Sequence, residues 1–271
     1  MKPLGLLRSS VTAFVIALQL LALAGCGIFS ANNDPKKNWG VEQYYEAAQD
    51  EMNSSNYEAA VKAYEALEAR YPYGRYAQQA NLQIAYAQYK QRNAAESTAA
   101  SDRFIKQNPT SPAVDYAYYL KGLVNFNADL GLFGFLANSD LSDRDPKAAR
   151  ESFDAFKELV TRFPDSRYTP DARQRMEYLT NALALHEVHV ARYYQKRGAP
   201  LAAANRAQYA VATYSRAPAT EEALAIMVQA YDQLNLPQLR DDAARVMQEN
   251  FPNSRYLAKA NNRDRPWWKW W

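Results

Sequence analysis

His186 and His189 bracket Glu187 and Val188 in the stretch HEVH, and they are the only histidines among the 271 residues. A helical zinc protease needs its two histidines four apart, so that both imidazoles share one face, with a glutamate after the first as general base. The spacing here is three, so a solvated or packed helix face is the expected role. The acidic pairs Glu221-Glu222 and Asp241-Asp242 fall where first turns of helices are expected. Carboxylates there answer the positive end of the helix dipole and need do no acid–base work. No serine sits in a nucleophile elbow. The remaining candidate is the thiol of Cys26, the single cysteine. These residues give no catalytic constellation and no metal or cofactor site. With 9 glycines spread along the chain, long phosphate-binding loops are not expected either.

Cys26 does carry chemistry, of another kind. Lys2 and Arg8 make a positive start, and Val11 to Leu23 is apolar apart from Thr12 and Gln19. That run is too short for a comfortable membrane span and suits an export signal. The next residues, Leu23-Ala24-Gly25-Cys26, resemble the bacterial lipobox, in which the thiol is diacylated before the peptidase cuts ahead of the cysteine. A lone free thiol at a helix end is the competing expectation. One acyl chain holds a protein only marginally, whereas three, at about 0.8 kcal/mol per buried CH2, form a stable anchor. Residue 27 is glycine rather than an aspartate retention signal, which points to the outer membrane with the body on its periplasmic face. Residues 1–25 are thus expected to be a lipoprotein signal peptide and 26–37 a lipidated tether. Removing Lys2 and Arg8 narrows the formal charge from +3 to +1 (30 basic against 29 acidic residues), so nucleic acid is not an expected partner.

The elements that follow are announced by a repeated phrase. YPYGRY (71–76), FPDSRY (163–168) and FPNSRY (251–256) share it, and NPTSPA (108–113) and YSRAPA (214–219) are looser copies. Upstream of Pro72, Ala60, Tyr64, Leu67 and Tyr71 recur at helical spacing and predict a core-facing stripe. Proline stops the helix, and the aromatic before it can fold back onto its own helix. Ser111-Pro112, Asp145-Pro146 and Thr169-Pro170 have the form of a capping side chain before a first-turn proline. From Pro72 through Pro109, Pro164 and Ser215 to Pro252 the intervals are 37, 55, 51 and 37 residues. Near 34 residues, a helix-turn-helix unit is the tetratricopeptide (TPR) period. Ala48 and Ala60 take its small positions, with Ser97 and Ser152 there in later units. The expected fold is all-α, a TPR-like superhelix of about five repeats. Residues 38–145 would hold the N-terminal repeats, 146–257 the C-terminal repeats and 258–271 a Trp-rich tail. An insertion at Asp129 to Asp145 and long helices from Thr169 to Gly198 account for the expanded units.

In such a stack the first helix of each pair lines the concave face. Its inward positions would be Tyr45, Gln49 and Met52, then Leu82, Tyr86 and Tyr89, then Tyr116, Tyr119, Leu123 and Phe126. Tyrosine offers apolar area and a hydroxyl at little entropic cost, which suits an extended peptide. The competing expectation is that several of these rings pack between repeats. Two segments stand apart. GLFGFLANSDL, Gly131 to Leu141, is long for a loop and either plugs its own repeat or meets a partner. The tail places Trp267, Trp268, Trp270 and Trp271 around Lys269, as a membrane–water contact, a plug for a partner's groove, or a frayed end.

AVKAYEALEARYPYGRYAQQA, RFIKQNPTSPAVDYAYYLKGLVNF, and RDPKAARESFDAFKELVTRFPDSRYTPDAR with HVARYYQKRGAP resemble the BamD family of outer-membrane assembly lipoproteins, called ComL in neisseriae. The similarity runs from Trp39 to about Leu257, in order and after a lipobox. Ser215 in place of a usual proline, and the final WWKWW, depart from it. The resemblance implies a non-catalytic scaffold of the β-barrel assembly machinery, lipid-anchored in the outer membrane. The N-terminal repeats would face unfolded barrel precursors and a companion lipoprotein's extended N-terminus. The C-terminal repeats would contact the periplasmic domain of the barrel insertase. On that half, Arg192, Tyr193, Lys196 and Arg197 are expected at the partner interface, since Arg and Tyr are enriched in hot spots. A solvated basic helix end is the alternative for them. For the whole chain the alternatives are a periplasmic TPR lipoprotein serving cell-wall or envelope-division proteins, and a lipoprotein enzyme.

Overall fold

The computed structural model describes residues 38–134 and 146–258. Cys26, the segment 135–145 and the tail from residue 259 lie outside the described residues. Eleven α-helices, with no strand among the described residues, follow one another as helical pairs. They are α1 Val41–Asn53 with α2 Tyr57–Arg70, α3 Arg75–Lys90 with α4 Ala94–Gln107, and α5 Val114–Gly134 with α6 Lys147–Arg162. Next come α7 Thr169–Lys196 with α8 Pro200–Thr213, then α9 Thr220–Gln233 with α10 Pro237–Asn250, and the short α11 Arg255–Ala258. From α2 to α10 each helix packs on the next in sequence. First helices of successive repeats also touch, α3 with α5 and α7 with α9. This is the five-repeat, all-α architecture that the intervals predict. The two groups of repeats expected from the sequence meet inside the third pair, between α5 and α6.

Close helix crossings explain the small residues. Ala48, Ala85, Gly122, Ala191 and Val228 occupy one register on the first helices, and Ala60, Ser97, Ser152 and Ala203 face it from the second helices, all buried. The serines keep their hydroxyls satisfied across the crossing. Ser97 donates to the Ala85 carbonyl at 2.8 Å and Ser152 to the Gly122 carbonyl at 2.9 Å. The stripe Ala60, Tyr64 and Leu67 is fully buried, as its spacing predicts.

Inside the pairs, four hairpin loops use one device that the sequence does not advertise. Ser55, Arg92, Gly198 and Asn235 each take a left-handed φ, between 57° and 70°. The next N–H then reaches back five residues: Asn56 to Glu51, Asn93 to Gln88, Ala199 to Tyr194 and Leu236 to Tyr231, at 2.9–3.0 Å. These bonds satisfy carbonyls that the helix end would leave bare. Glycine takes that conformation freely, whereas Ser55 and Arg92 adopt it at a cost of about 1 kcal/mol. In the first two loops an asparagine adds a side-chain clasp, Asn56 to Glu51 and Asn93 to Gln88, both 2.8 Å.

Between pairs, the repeated phrase begins with a residue that has left helical geometry, with φ between −131° and −121° and ψ between 44° and 75°, yet whose N–H still donates to the helix: Tyr71, Asn108, Phe163, Tyr214 and Phe251, at 2.8–2.9 Å. Two of its aromatics also reach the other helix of their pair. Tyr71 meets Tyr44 on α1 at 6.0 Å and Phe163 meets Tyr118 on α5 at 5.9 Å, so each locks the two helices of its pair. The capping pattern needs correcting. Thr169 lies inside α7 and its hydroxyl donates to the Phe163 carbonyl, while α5 starts at Val114, past Pro112. Of the acidic pairs, Glu221-Glu222 does open α9, but Asp241-Asp242 falls in the second turn of α10, which begins at Pro237. Residues Gly131 to Gly134, expected in a loop, continue α5.

Candidate functional site

The contact between α3 and α5 leaves an open cleft of about 530 Å3. Leu82, Gln83 and Tyr86 of α3 form one wall, and Pro112, Ala113, Asp115 and Tyr116 at the start of α5 form the other. Arg167 and Tyr168, the end of the FPDSRY phrase, close it from the third-to-fourth repeat turn. Of the residues expected in a peptide groove, Leu82, Tyr86 and Tyr116 are here. Arg167 and Tyr168 were not foreseen, although the repeated phrase itself marked them.

Aromatic packing and one polar chain hold this turn against α5. The Tyr168 ring stacks on Tyr119 at 4.8 Å and lies 5.3 Å from Tyr116. Ser166 donates to Asp115 at 2.7 Å. Tyr119 donates to Asp171 at 2.7 Å, and Arg175 reaches the same carboxylate at 2.6 Å. Burial alone would raise the Asp171 carboxyl, but the bonds from Arg175 and Tyr119 hold it below the usual carboxylate range. Burial, helped by the Asp171 bond, pushes the Tyr119 phenol up to about 12. Burial also drives Tyr116 well above the ordinary phenol range, with the neighbouring tyrosines adding to the effect. Both phenols therefore stay neutral, and the charges at the rim are Asp115 and Arg167. The Arg167 guanidinium lies 4.7 Å over the Tyr168 ring and donates to its hydroxyl. Ring walls, neutral hydroxyls and one exposed cation suit a peptide bearing an aromatic side chain. Such ring contacts contribute about 0.5–1.5 kcal/mol each beyond buried area.

The other expected groove residues separate by environment. Tyr89 is half-buried, 6.2 Å from Tyr86. Tyr45 packs between Tyr64 and Tyr76, at 5.7 and 5.3 Å, and Gln49 accepts the Tyr64 hydroxyl at 3.2 Å. Met52 is buried and leaves little surface for a ligand. Leu123 is half-buried, and Phe126 packs on Phe156 and Tyr178 under the Arg175 guanidinium.

On the C-terminal half, Arg192 donates twice to Glu222, at 2.6 and 3.0 Å, and so ties α7 to α9. Tyr193, Lys196 and Arg197 are exposed at the end of α7, with the Arg197 guanidinium 5.4 Å over the Tyr193 ring. In the HEVH stretch Glu187 turns inward, buried at 1% exposure, between Arg150 of α6 and Arg206 of α8 at 3.3 and 3.0 Å. Among the described residues no three His, Cys, Asp or Glu side chains are grouped to hold a metal. No described helix is long and apolar enough to cross a membrane.

Comparison with known proteins adds to this geometry. A family model described as YfiO, outer membrane lipoprotein, matches residues 38–247. The chain is 49% identical over 257 residues to the outer membrane protein assembly factor BamD of Neisseria meningitidis serogroup B strain MC58, covering 94% of this chain and 96% of that one. It is 36% identical to BamD of Xylella fastidiosa strain Temecula1, over 90% of this chain and 83% of that one. It is also 36% identical to BamD of Vibrio cholerae El Tor N16961, over 86% and 95%.

Proposed function

The chain belongs to the YfiO outer membrane lipoprotein family, and on that premise we propose that it is a non-catalytic scaffold for assembling β-barrel proteins in the outer membrane. In this reading the cleft between α3 and α5 takes a segment of an unfolded barrel precursor. Companion lipoproteins and the insertase's periplasmic domain are its other partners, and the exposed Tyr193, Lys196 and Arg197 face the insertase. The observation that carries the reading is the cleft itself, in which Tyr86, Tyr116 and Tyr168 gather beside an exposed cation, Arg167, that lies over Tyr168 and shares the rim with Asp115. An aromatic strand with a terminal carboxylate matches both features.

Binding of a synthetic peptide copied from the last strand of a barrel protein tests this. Tyr86→Ala with Arg167→Glu is expected to weaken it about tenfold or more, as loss of a ring contact and a charge-assisted contact together. Neither side chain belongs to the buried core, so helical circular dichroism should not change. Equal affinity for the variant would refute the cleft assignment. Affinity purification should also recover a barrel-containing complex, and retention on peptidoglycan instead would favour a cell-wall scaffold. Cys26 is the proposed anchor. Mass measurement of the membrane-extracted chain should find residues 1–25 removed and three acyl chains added, and an unmodified thiol would exclude it.

A further inference from the structure

The fifth repeat differs from the others on its outer face. With the residue that follows each second helix as a common register, the positions five and twelve residues earlier lie two turns apart on one side of the helix. They are Ala59 and Ala66 in the first repeat, Glu96 and Arg103 in the second, and Glu151 and Glu158 in the third. In the fourth they are Ala202 and Tyr209, and in the fifth Leu239 and Val246. Only the last pair is aliphatic and large. Leu239 is 47% exposed and Val246 37%, and Leu236, 41% exposed at the start of α10, continues the line. Leu236, Leu239 and Val246 follow helical spacing, so the exposed stripe runs most of the length of α10. The same positions in the other repeats also face outward but carry small or charged side chains or Tyr209, and beyond α10 the described chain offers only α11, four residues long.

We infer that the stripe on α10 is the docking site for the tryptophan-rich tail of the same chain, residues 259–271. That segment leaves the fold from the right place, because Tyr256 of α11 is buried in the cluster that holds Ala243, Ala244 and Met247 of α10. Its thirteen residues reach up to about 43 Å when extended, against about 21 Å for the length of α10. Four tryptophans supply the apolar area that three exposed aliphatic side chains lack. Charge agrees as well. Arg263, Arg265 and Lys269 of the tail would meet Asp242, which lies between Leu239 and Val246 and is shared with Arg245, and the exposed Glu249. Docked there, the tail would shield the outer face on which these positions are both large and aliphatic.

Tryptophan fluorescence tests this in the chain beginning at Gly27, which keeps every described residue. With Trp39→Phe the remaining four tryptophans all report on the tail. Acrylamide quenching is expected to be weaker by at least about twofold than in the free peptide 259–271, since buried rings are shielded from the quencher. Leu239→Asp with Val246→Asp should raise quenching to the peptide's level while circular dichroism stays constant. Leu239→Gln with Val246→Gln gives the same readout with a milder change, should the aspartates unfold the repeat. Quenching in the parent equal to that of the peptide, or unaltered by either double substitution, overturns the inference. Protection that appears only with phosphatidylethanolamine–phosphatidylglycerol vesicles also overturns it and assigns the tail to lipid.

Discussion

Gly122→Val is expected to lower the stability of the fold by about 3 kcal/mol or more, read as a lower urea midpoint at an unchanged slope. A Cβ at residue 122 would stand 2.4 Å from Phe156 Cε1, 2.5 Å from Cδ1 and 2.8 Å from Cζ. None of these atoms can retreat easily, because Phe156 is fully buried and its ring is packed between Tyr119 at 6.0 Å and Phe126 at 6.4 Å. Alanine at the same site gains about 0.8 kcal/mol of helix propensity over glycine, so its net cost is smaller, about 1–2 kcal/mol. Any shift of Phe156 passes to Tyr119 and then to Tyr168, which is stacked on it. The valine variant should therefore also bind the peptide less well at temperatures where it remains folded. An unmoved midpoint would mean that α5 and α6 can separate without loss.

Removing both arginines around Glu187 should cost nearly as much, and the asymmetry is the diagnostic part. Arg150→Ala with Arg206→Ala leaves a carboxylate at 1% exposure without a counter-charge, which costs about 3–5 kcal/mol. Glu187→Gln leaves two guanidinium groups whose side chains are 47% exposed, and these can turn to water. Its cost is expected to be about 1–2 kcal/mol, the loss of charge-assisted bonds alone. Glu187 joins α6, α7 and α8, so the double variant should loosen the junction of the third and fourth repeats. Denaturation curves for the two variants decide it. Equal losses would show that the acid, rather than its lack of partners, dominates.

Much of the architecture was legible because repeats speak several times. Ala60, Tyr64 and Leu67 announce a second helix, and the proline phrases mark where one pair ends. Features that depend on closure in space were harder to read. Nothing about serine or arginine predicts a left-handed residue at Ser55 or Arg92, where the backbone bonds of the hairpin impose it. Tyr168 looked like part of a linker, yet that linker lies against a helix begun some fifty residues earlier, at Val114. Met52 and Tyr45 share a helix and an expected face, but Met52 is buried and Tyr45 packs between Tyr64 and Tyr76, neither of them lining the cleft, since the angular positions cannot say how far the neighbouring helix wraps around. Arg192 reads as a free surface cation until Glu222, thirty residues on, is folded beside it. Of the cleft, Leu82, Tyr86 and Tyr116 could be read from helical positions, whereas its closing wall, Arg167 and Tyr168, could not.

The pairing of each helix mainly with those next to it in sequence has a kinetic side. Low contact order means that no native contact waits on the meeting of distant chain ends, so the loop-closure entropy that slows sheet proteins is largely absent. Any repeat can serve as a nucleus, and order then spreads to its neighbours one interface at a time. A chain that emerges N-terminus first can set α1 to α4 before α9 exists. The first repeats need hold only a partial structure until the next arrives, and the interval in which apolar helix faces stay open to aggregation is kept to the time of one repeat.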